Sequence, residues 1–84
     1  MPLTDREQAI LDFERNWWLH DAPKEALIRE QFGSSADAYY QELAAVLDAP
    51  DAMAYDPLVV RRLRRHRERR RRERMQARAA EVAP

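Results

Sequence analysis

Fourteen consecutive residues, 61–74, hold ten arginines, and the other four are Leu63, His66, Glu68 and Glu73. Such a run cannot form the inside of a protein, because guanidinium groups stay charged and an unpaired buried charge costs far more than packing returns. It has to line a surface, project from one, or meet a polyanion. The rest of the chain has the opposite sign. Residues 1–60 carry 4 basic and 12 acidic side chains, a net of −8, whereas residues 61–84 carry 11 arginines against Glu68, Glu73 and Glu81, a net of +8. The overall net charge of zero therefore hides two segregated halves, and asymmetry of this kind points to a basic arm for a polyanion.

Any core must come from the acidic part, and 84 residues suffice for one core, not two. The chain has a single glycine and few β-branched residues, while Ala, Leu, Glu, Gln and Arg fill most positions, so an all-α fold is expected. The absence of cysteine removes disulfides and thiolate metal sites together. The start, MPLTDREQ, has neither a basic n-region nor an apolar h-region, and no run approaches the roughly 18 apolar residues of a membrane span. A soluble, cytoplasmic protein follows as the expectation.

Thr4 and Glu7 have the spacing of a capping box, which sets the start of a first helix through DREQAILDFERNWWLH. Ile10, Phe13 and Trp17 recur there at helical spacing, with Leu11 and Trp18 widening the stripe. The pattern breaks at His20–Pro23, with Asp21 or Ala22 as cap and Pro23 in the first turn of a second helix. That helix, KEALIREQF, offers Leu27, Ile28 and Phe32 to a core and exposes Lys24, Glu25 and Glu30. Gly33 suits the left-handed position that ends a helix. Ser34 or Ser35 then caps a third helix, ADAYYQELAAVLD, whose buried stripe is Tyr39, Leu43, Val46 and Leu47. Helix, short glycine turn and helix is a helix-turn-helix arrangement. The segment APDAMAYDP reads as a connector. Asp56 followed by Pro57 starts a last helix in which Leu58, Val59 and Leu63 can pack, while residues beyond 64 project or lack order. The expected organisation is a three-helix body over 1–57 and a basic helix over 58–84.

LTDREQAILDFERNWW, KEALIREQFG, AYYQEL and DPLVVRRLRR, in this order, resemble a family of small actinobacterial proteins catalogued as a domain of unknown function and described as helix-turn-helix proteins. The likeness covers roughly residues 3–65. It implies the helix-turn-helix fold and a DNA-related role, with no established mechanism. The chain departs from general helix-turn-helix patterns at Arg29 and Ser34, and it has Asp37 and Ala38 where the family carries a Thr-Arg pair.

If the third helix entered a major groove, Ser35, Asp37, Tyr40 and Gln41 would approach base edges, and Gln41 could pair with adenine. That helix has no Lys or Arg, however, and Asp37, Glu42 and Asp48 would meet phosphates with like charge. The arginine helix is the better anchor. Arg61, Arg62, Arg64, Arg65, Arg67, Arg69, Arg70, Arg71 and Arg72 are the candidate phosphate contacts, since guanidinium binds phosphate in a bidentate manner. The bland alternative is a solvated face with ladders such as Arg64–Glu68, Glu68–Arg72 and Arg69–Glu73, which leaves most of the arginines unpaired. Trp17 and Tyr39 fit the core. Trp18 and Tyr40 lie at its edge, either as a partner or dimer surface or as simple partial exposure.

His20 and His66 lack a second ligand at metal spacing. No hydroxyl has a histidine base nearby, and no glycine-rich phosphate loop is present. Metal, cofactor, small-molecule substrate and catalysis are therefore not expected. The sequence reads as a nucleic-acid-associated, nucleoid-located transcriptional regulator, with DNA favoured and RNA open because an arginine-rich helix also suits a stem-loop. Two other readings are an interaction module of the transcription machinery that docks through its acidic body, and a homo-oligomer driven by the opposed charges.

Overall fold

A computed structural model of the protein describes residues 2–82, with side chains as far as Ala80. The protein is all-α, with no strand among the described residues. The order is α1 (Asp5–Asn16), a single 3₁₀ turn (Trp17–Leu19), α2 (Lys24–Phe32), α3 (Ala36–Asp48), α4 (Pro50–Tyr55) and α5 (Pro57–Val82). Residues 1, 83 and 84, the outer ends of the two expected segments, lie outside the described residues.

Local rules set most of the helix ends. Thr4 and Glu7 form the capping box: the Glu7 amide donates to Thr4 Oγ1 at 3.1 Å and the Thr4 amide to Glu7 Oε1 at 2.9 Å. Gly33 ends α2 in the left-handed conformation at φ +65°, and Ser35 caps α3 by accepting the Ala38 amide at 3.2 Å. Asp56 starts α5 by accepting the Val59 amide at 3.2 Å, with Pro57 as the first residue, where its missing N–H is not needed.

Four local expectations are corrected. The first helix stops at Asn16, whose backbone leaves the helical region (φ −126°, ψ −7°) and whose side-chain amide donates to the Asp12 carbonyl at 3.2 Å. The tryptophans then fall in the 3₁₀ turn. Second, Pro23 itself is the N-cap of α2; it is extended (ψ 142°) and supplies no side-chain cap, and its carbonyl accepts the Ala26 and Leu27 amides at 3.1 and 3.2 Å. Third, the supposed connector contains α4, which begins with Pro50 at its first turn and buries Ala52 completely. Fourth, Leu58 faces solvent at 76 % exposure, and Val60 is buried in its place beside Val59. On α5 these two, with Leu63, lie along the side that meets the body.

The core is built from Ile10, Leu11 and Phe13 of α1, Ile28 of α2 and the stripe of α3, closed by Ala52, Val59 and Val60. Its aromatic centre is Phe13, which meets Phe32 edge-on at 5.4 Å and Tyr39 at 5.6 Å. Such contacts add about 0.5–1.5 kcal/mol each beyond area burial. The 26 residues of α5 make a rod of roughly 39 Å at 1.5 Å per residue. The molecule accordingly measures 50 × 30 × 21 Å with a radius of gyration of 15.1 Å, against about 12 Å for a compact chain of this length. The excess is the distal half of α5, which is exposed throughout residues 68–80.

Candidate nucleic-acid interface

Helical geometry divides nine of the eleven arginines of α5 into three groups. Arg61, Arg65, Arg69 and Arg72 are spaced by four, four and three residues, which confines them to an arc of roughly 80°. That arc lies opposite Val59, Val60 and Leu63, so all four are exposed. None of them has a hydrogen-bond or ion-pair partner among the described residues.

The second group turns inward. Arg64 donates twice to the Leu47 carbonyl, from Nε at 2.9 Å and Nη2 at 2.6 Å. Arg67 Nη1 lies 2.9 Å from Asp48 Oδ1, and Arg62 Nη2 donates to the Glu14 carbonyl at 3.0 Å while its guanidinium sits 5.0 Å above the Trp18 ring. Of the nine arginines expected to hold phosphates, these three are thus committed to the protein itself. Arg64 and Arg67 neutralise the negative end of the α3 dipole, and Arg62 pins α5 to the end of α1. Their positions are readable in hindsight, since Val60, Arg64 and Arg67 follow the i, i+4, i+7 rule from a buried residue. What the sequence could not supply was the place where α3 ends.

Arg70 and Arg74 form the third group, one turn apart on the body side but beyond its edge, and neither has a partner among the described residues. Of the salt ladders that a solvated face would form, Arg64–Glu68, Glu68–Arg72 and Arg69–Glu73, none is made, and the one ion pair within α5 among the described residues is Arg71 Nη1 to Glu68 Oε1 at 3.6 Å, between exposed groups. A pair of that kind is worth a few tenths of a kcal/mol at most, so the arginine face is left almost wholly unneutralised.

The turn between α2 and α3 is fixed by Arg6. Its Nε lies 2.7 Å from Glu42 Oε2, and its Nη2 donates to Glu42 Oε1 at 2.9 Å and to Ser34 Oγ at 3.0 Å. The hydrogen bond to Arg6 holds the Glu42 carboxyl below the usual carboxylate range. Of the candidate base-reading residues, Asp37 and Gln41 share the exposed face of α3 with Ala45 and Asp48, a face to which α3 itself contributes no cation and whose Asp48 is met by Arg67 of α5. Ser35 is occupied as the helix cap. Tyr40 points elsewhere, packing edge-on against Tyr39 at 5.3 Å.

Tyr40 and Trp18, the candidate partner surface, line one groove between α3, the 3₁₀ turn and α5, with a volume of about 640 Å³. Trp18 is 49 % and Tyr40 41 % exposed. Beneath them lies a polar cluster that the sequence reading missed. Glu14 is only 2 % exposed; it accepts a short hydrogen bond from the Tyr39 hydroxyl and one from Lys24 Nζ at 3.1 Å. Lys24, expected in solvent, is folded back so that Nζ lies 5.1 Å from the ring centres of both Trp17 and Tyr40. A buried carboxylate needs such partners. The signal was present, for position 14 is four beyond Ile10 on the same stripe, and an acidic residue there implies a cation or hydroxyl opposite.

No group of His, Cys, Asp or Glu among the described residues could hold a metal ion, and no helix among them is long and apolar enough to cross a membrane. The fold and the surface define an all-α protein whose last helix carries an unneutralised cationic stripe along an otherwise acidic body. The chain belongs to the family described as "Protein of unknown function (DUF3263)", which it matches over residues 2–75. The match runs from the capping box through the arginine run. No curated protein and no solved structure matches the chain.

Proposed function

We propose that the protein is a nucleic-acid-associated, DNA-binding component of the cytoplasm, in which α5 holds the phosphate backbone and the α2–α3 helix-turn-helix unit orients the complex. The observation that carries this reading is the outward stripe of Arg61, Arg65, Arg69 and Arg72, exposed and without carboxylate partners. Four guanidiniums along roughly 16 Å of one helix face match a backbone that presents one charge per roughly 1.7 Å of duplex axis. Nothing in the apolar core requires them there.

Base reading by α3 is not part of the proposal. Its exposed face carries Asp37 and Gln41 and lacks cations, so binding is phosphate-led and weakly dependent on sequence. Transcriptional regulation would then follow from occupancy or local organisation of DNA.

Fluorescence anisotropy with labelled duplex DNA tests this. Full-length protein should bind at low salt with a log–log salt slope of about −4, from four phosphates neutralised at roughly −0.9 each. Changing Arg61, Arg65, Arg69 and Arg72 together to Gln should abolish measurable binding even at low salt. Absence of binding by the unaltered chain at low ionic strength would reject the reading.

A further inference from the structure

We infer that the groove between α3, the 3₁₀ turn and α5 is a docking site for an acidic amphipathic helix of a partner protein, so that α5 serves two anionic partners from opposite sides. The floor is apolar, made of Leu43, Ala44, Leu47 and Leu63, and the volume of about 640 Å³ lies within the roughly 300–1,000 Å³ range of formed binding sites. It accommodates a few side chains and does not admit a duplex. Its α5 wall is basic, formed by His66, Arg70 and Arg74 together with the committed Arg62 and Arg67. The one carboxylate in the lining, Glu14, is already satisfied by Tyr39 and Lys24. An apolar floor beside a cationic wall is the complement of a helix with an apolar stripe flanked by Glu or Asp.

Two details favour such a helix over other anions. Arg70 and Arg74 are one turn apart, about 6 Å along the axis, the same interval that separates carboxylates at i and i+4 on a helix lying alongside. Single-stranded nucleic acid needs free ring faces for stacking, whereas here Lys24 covers one face of Trp17 and of Tyr40, and Arg62 covers one face of Trp18. What the groove offers instead are ring edges and aliphatic surface, which suit Leu, Ile or Phe anchors. A second copy of this chain, whose acidic residues lie in 1–60, is the competing occupant, and it is distinguished by the oligomeric state in the test below.

The test uses the full-length protein and a synthetic helical peptide with leucines at heptad a and d positions and glutamates elsewhere. Trp17 and Trp18 are the only tryptophans, so their emission reports occupancy directly. Saturable one-to-one binding with a shift in that emission is expected, and a peptide of identical composition with scrambled order should not produce it. Ala44→Glu, on an exposed helical position and therefore without cost to the fold, should weaken binding at least tenfold. Arg70→Gln and Arg74→Gln should each weaken it by about threefold, the scale of an exposed ion pair.

Equal binding of the scrambled peptide, or indifference to Ala44→Glu with the fold intact, would overturn the inference. So would displacement of the peptide by a single-stranded oligonucleotide, or a concentration-dependent dimer that the peptide dissolves. The two functions separate cleanly: the four outward substitutions to Gln should leave peptide binding within about twofold, and Ala44→Glu should leave duplex binding unchanged, so each claim fails without the other.

Discussion

Arg64 places two donors on the single carbonyl oxygen of Leu47, at 2.9 and 2.6 Å, and so closes the C-terminus of α3 with a side chain from a helix 17 residues further along the chain. The last carbonyls of a helix lack intrahelical partners, and α3 continues into Ala49 and α4 without a glycine cap. The arginine takes over that task. This makes one member of the basic run a structural residue, while Arg65, its neighbour in sequence, points to solvent with no partner.

Replacing Arg64 by Met, which keeps the aliphatic stem, removes a charged hydrogen-bond pair from a half-buried carbonyl and should cost about 2 kcal/mol. For a domain of this size that lowers the melting temperature by roughly 10 °C. Arg65→Met should stay within about 0.5 kcal/mol, as an exposed substitution does. Thermal unfolding followed by circular dichroism compares the two, and equal effects would show that the Leu47 contact contributes nothing.

Glu14 is the polar pivot of the body, and its removal should be the most damaging single change outside the apolar core. Glu14→Ala leaves the Lys24 ammonium and the Tyr39 hydroxyl with no acceptor, a loss of about 3 kcal/mol. Lys24→Met alone should cost less, because the Tyr39 hydroxyl still serves the carboxylate. In the double variant the effects should not add, with a coupling of about 1–2 kcal/mol. Additive denaturation midpoints in urea would remove the ion pair from the account of stability.

The same cluster sets a limit on alkaline stability. Burial, reinforced by the hydrogen bond to the Glu14 carboxylate, pushes the Tyr39 phenol well above its ordinary range. The unfolded chain then releases that proton near the ordinary phenol value of about 10, while the folded chain keeps it. Above that pH the unfolded state binds fewer protons, so the stability gained from Tyr39 is complete below about pH 10 and declines as pH rises further. Tyr55 is raised as well, by its hydrogen bond to Asp12, but it is exposed and screened. Urea midpoints from pH 9 to 12 should fall for the natural chain, and Tyr39→Phe should flatten most of that fall while lowering stability at neutral pH. An unchanged pH profile in the variant would contradict the assignment.

These predictions rest on residues of two kinds, and the difference explains what could be read in advance. Thr4 with Glu7, Gly33, and Asp56 with Pro57 act through neighbours three or four positions away, so spacing alone locates the helix ends. The stripe of Tyr39, Leu43, Val46 and Leu47 is equally local. α4 escaped because two prolines in nine residues suggest a loop, although a proline in the first turn costs a helix nothing. Lys24, Arg62, Arg64 and Arg67 find their partners 10 to 48 residues away, and a single sequence shows that such cations exist without showing which carbonyl or carboxylate they reach. For the candidate interface, the charge separation was evident from the start, whereas its division into a capping row, an outward stripe and a groove wall needed the placement of α5.

That division dictates where the basic helix can be cut. A chain ending at Val60 loses Leu63 from the edge of the core together with the bonds of Arg62 to Glu14, Arg64 to Leu47 and Arg67 to Asp48, so its body should unfold or melt at least 15 °C lower, an estimate of about 3 kcal/mol or more at roughly 4–8 °C per kcal/mol. A chain ending at Glu68 keeps all of these and discards only residues that are exposed as far as Ala80; it should melt within a few degrees of the full chain. Yet it retains just Arg61 and Arg65 of the outward stripe, so its log–log salt slope on duplex DNA should fall to about −2. Thermal melts and anisotropy on the two truncations measure stability and binding independently. If the chain ending at Glu68 binds DNA as steeply as the full protein, the contacts lie in the body and the distal rod is not the phosphate anchor.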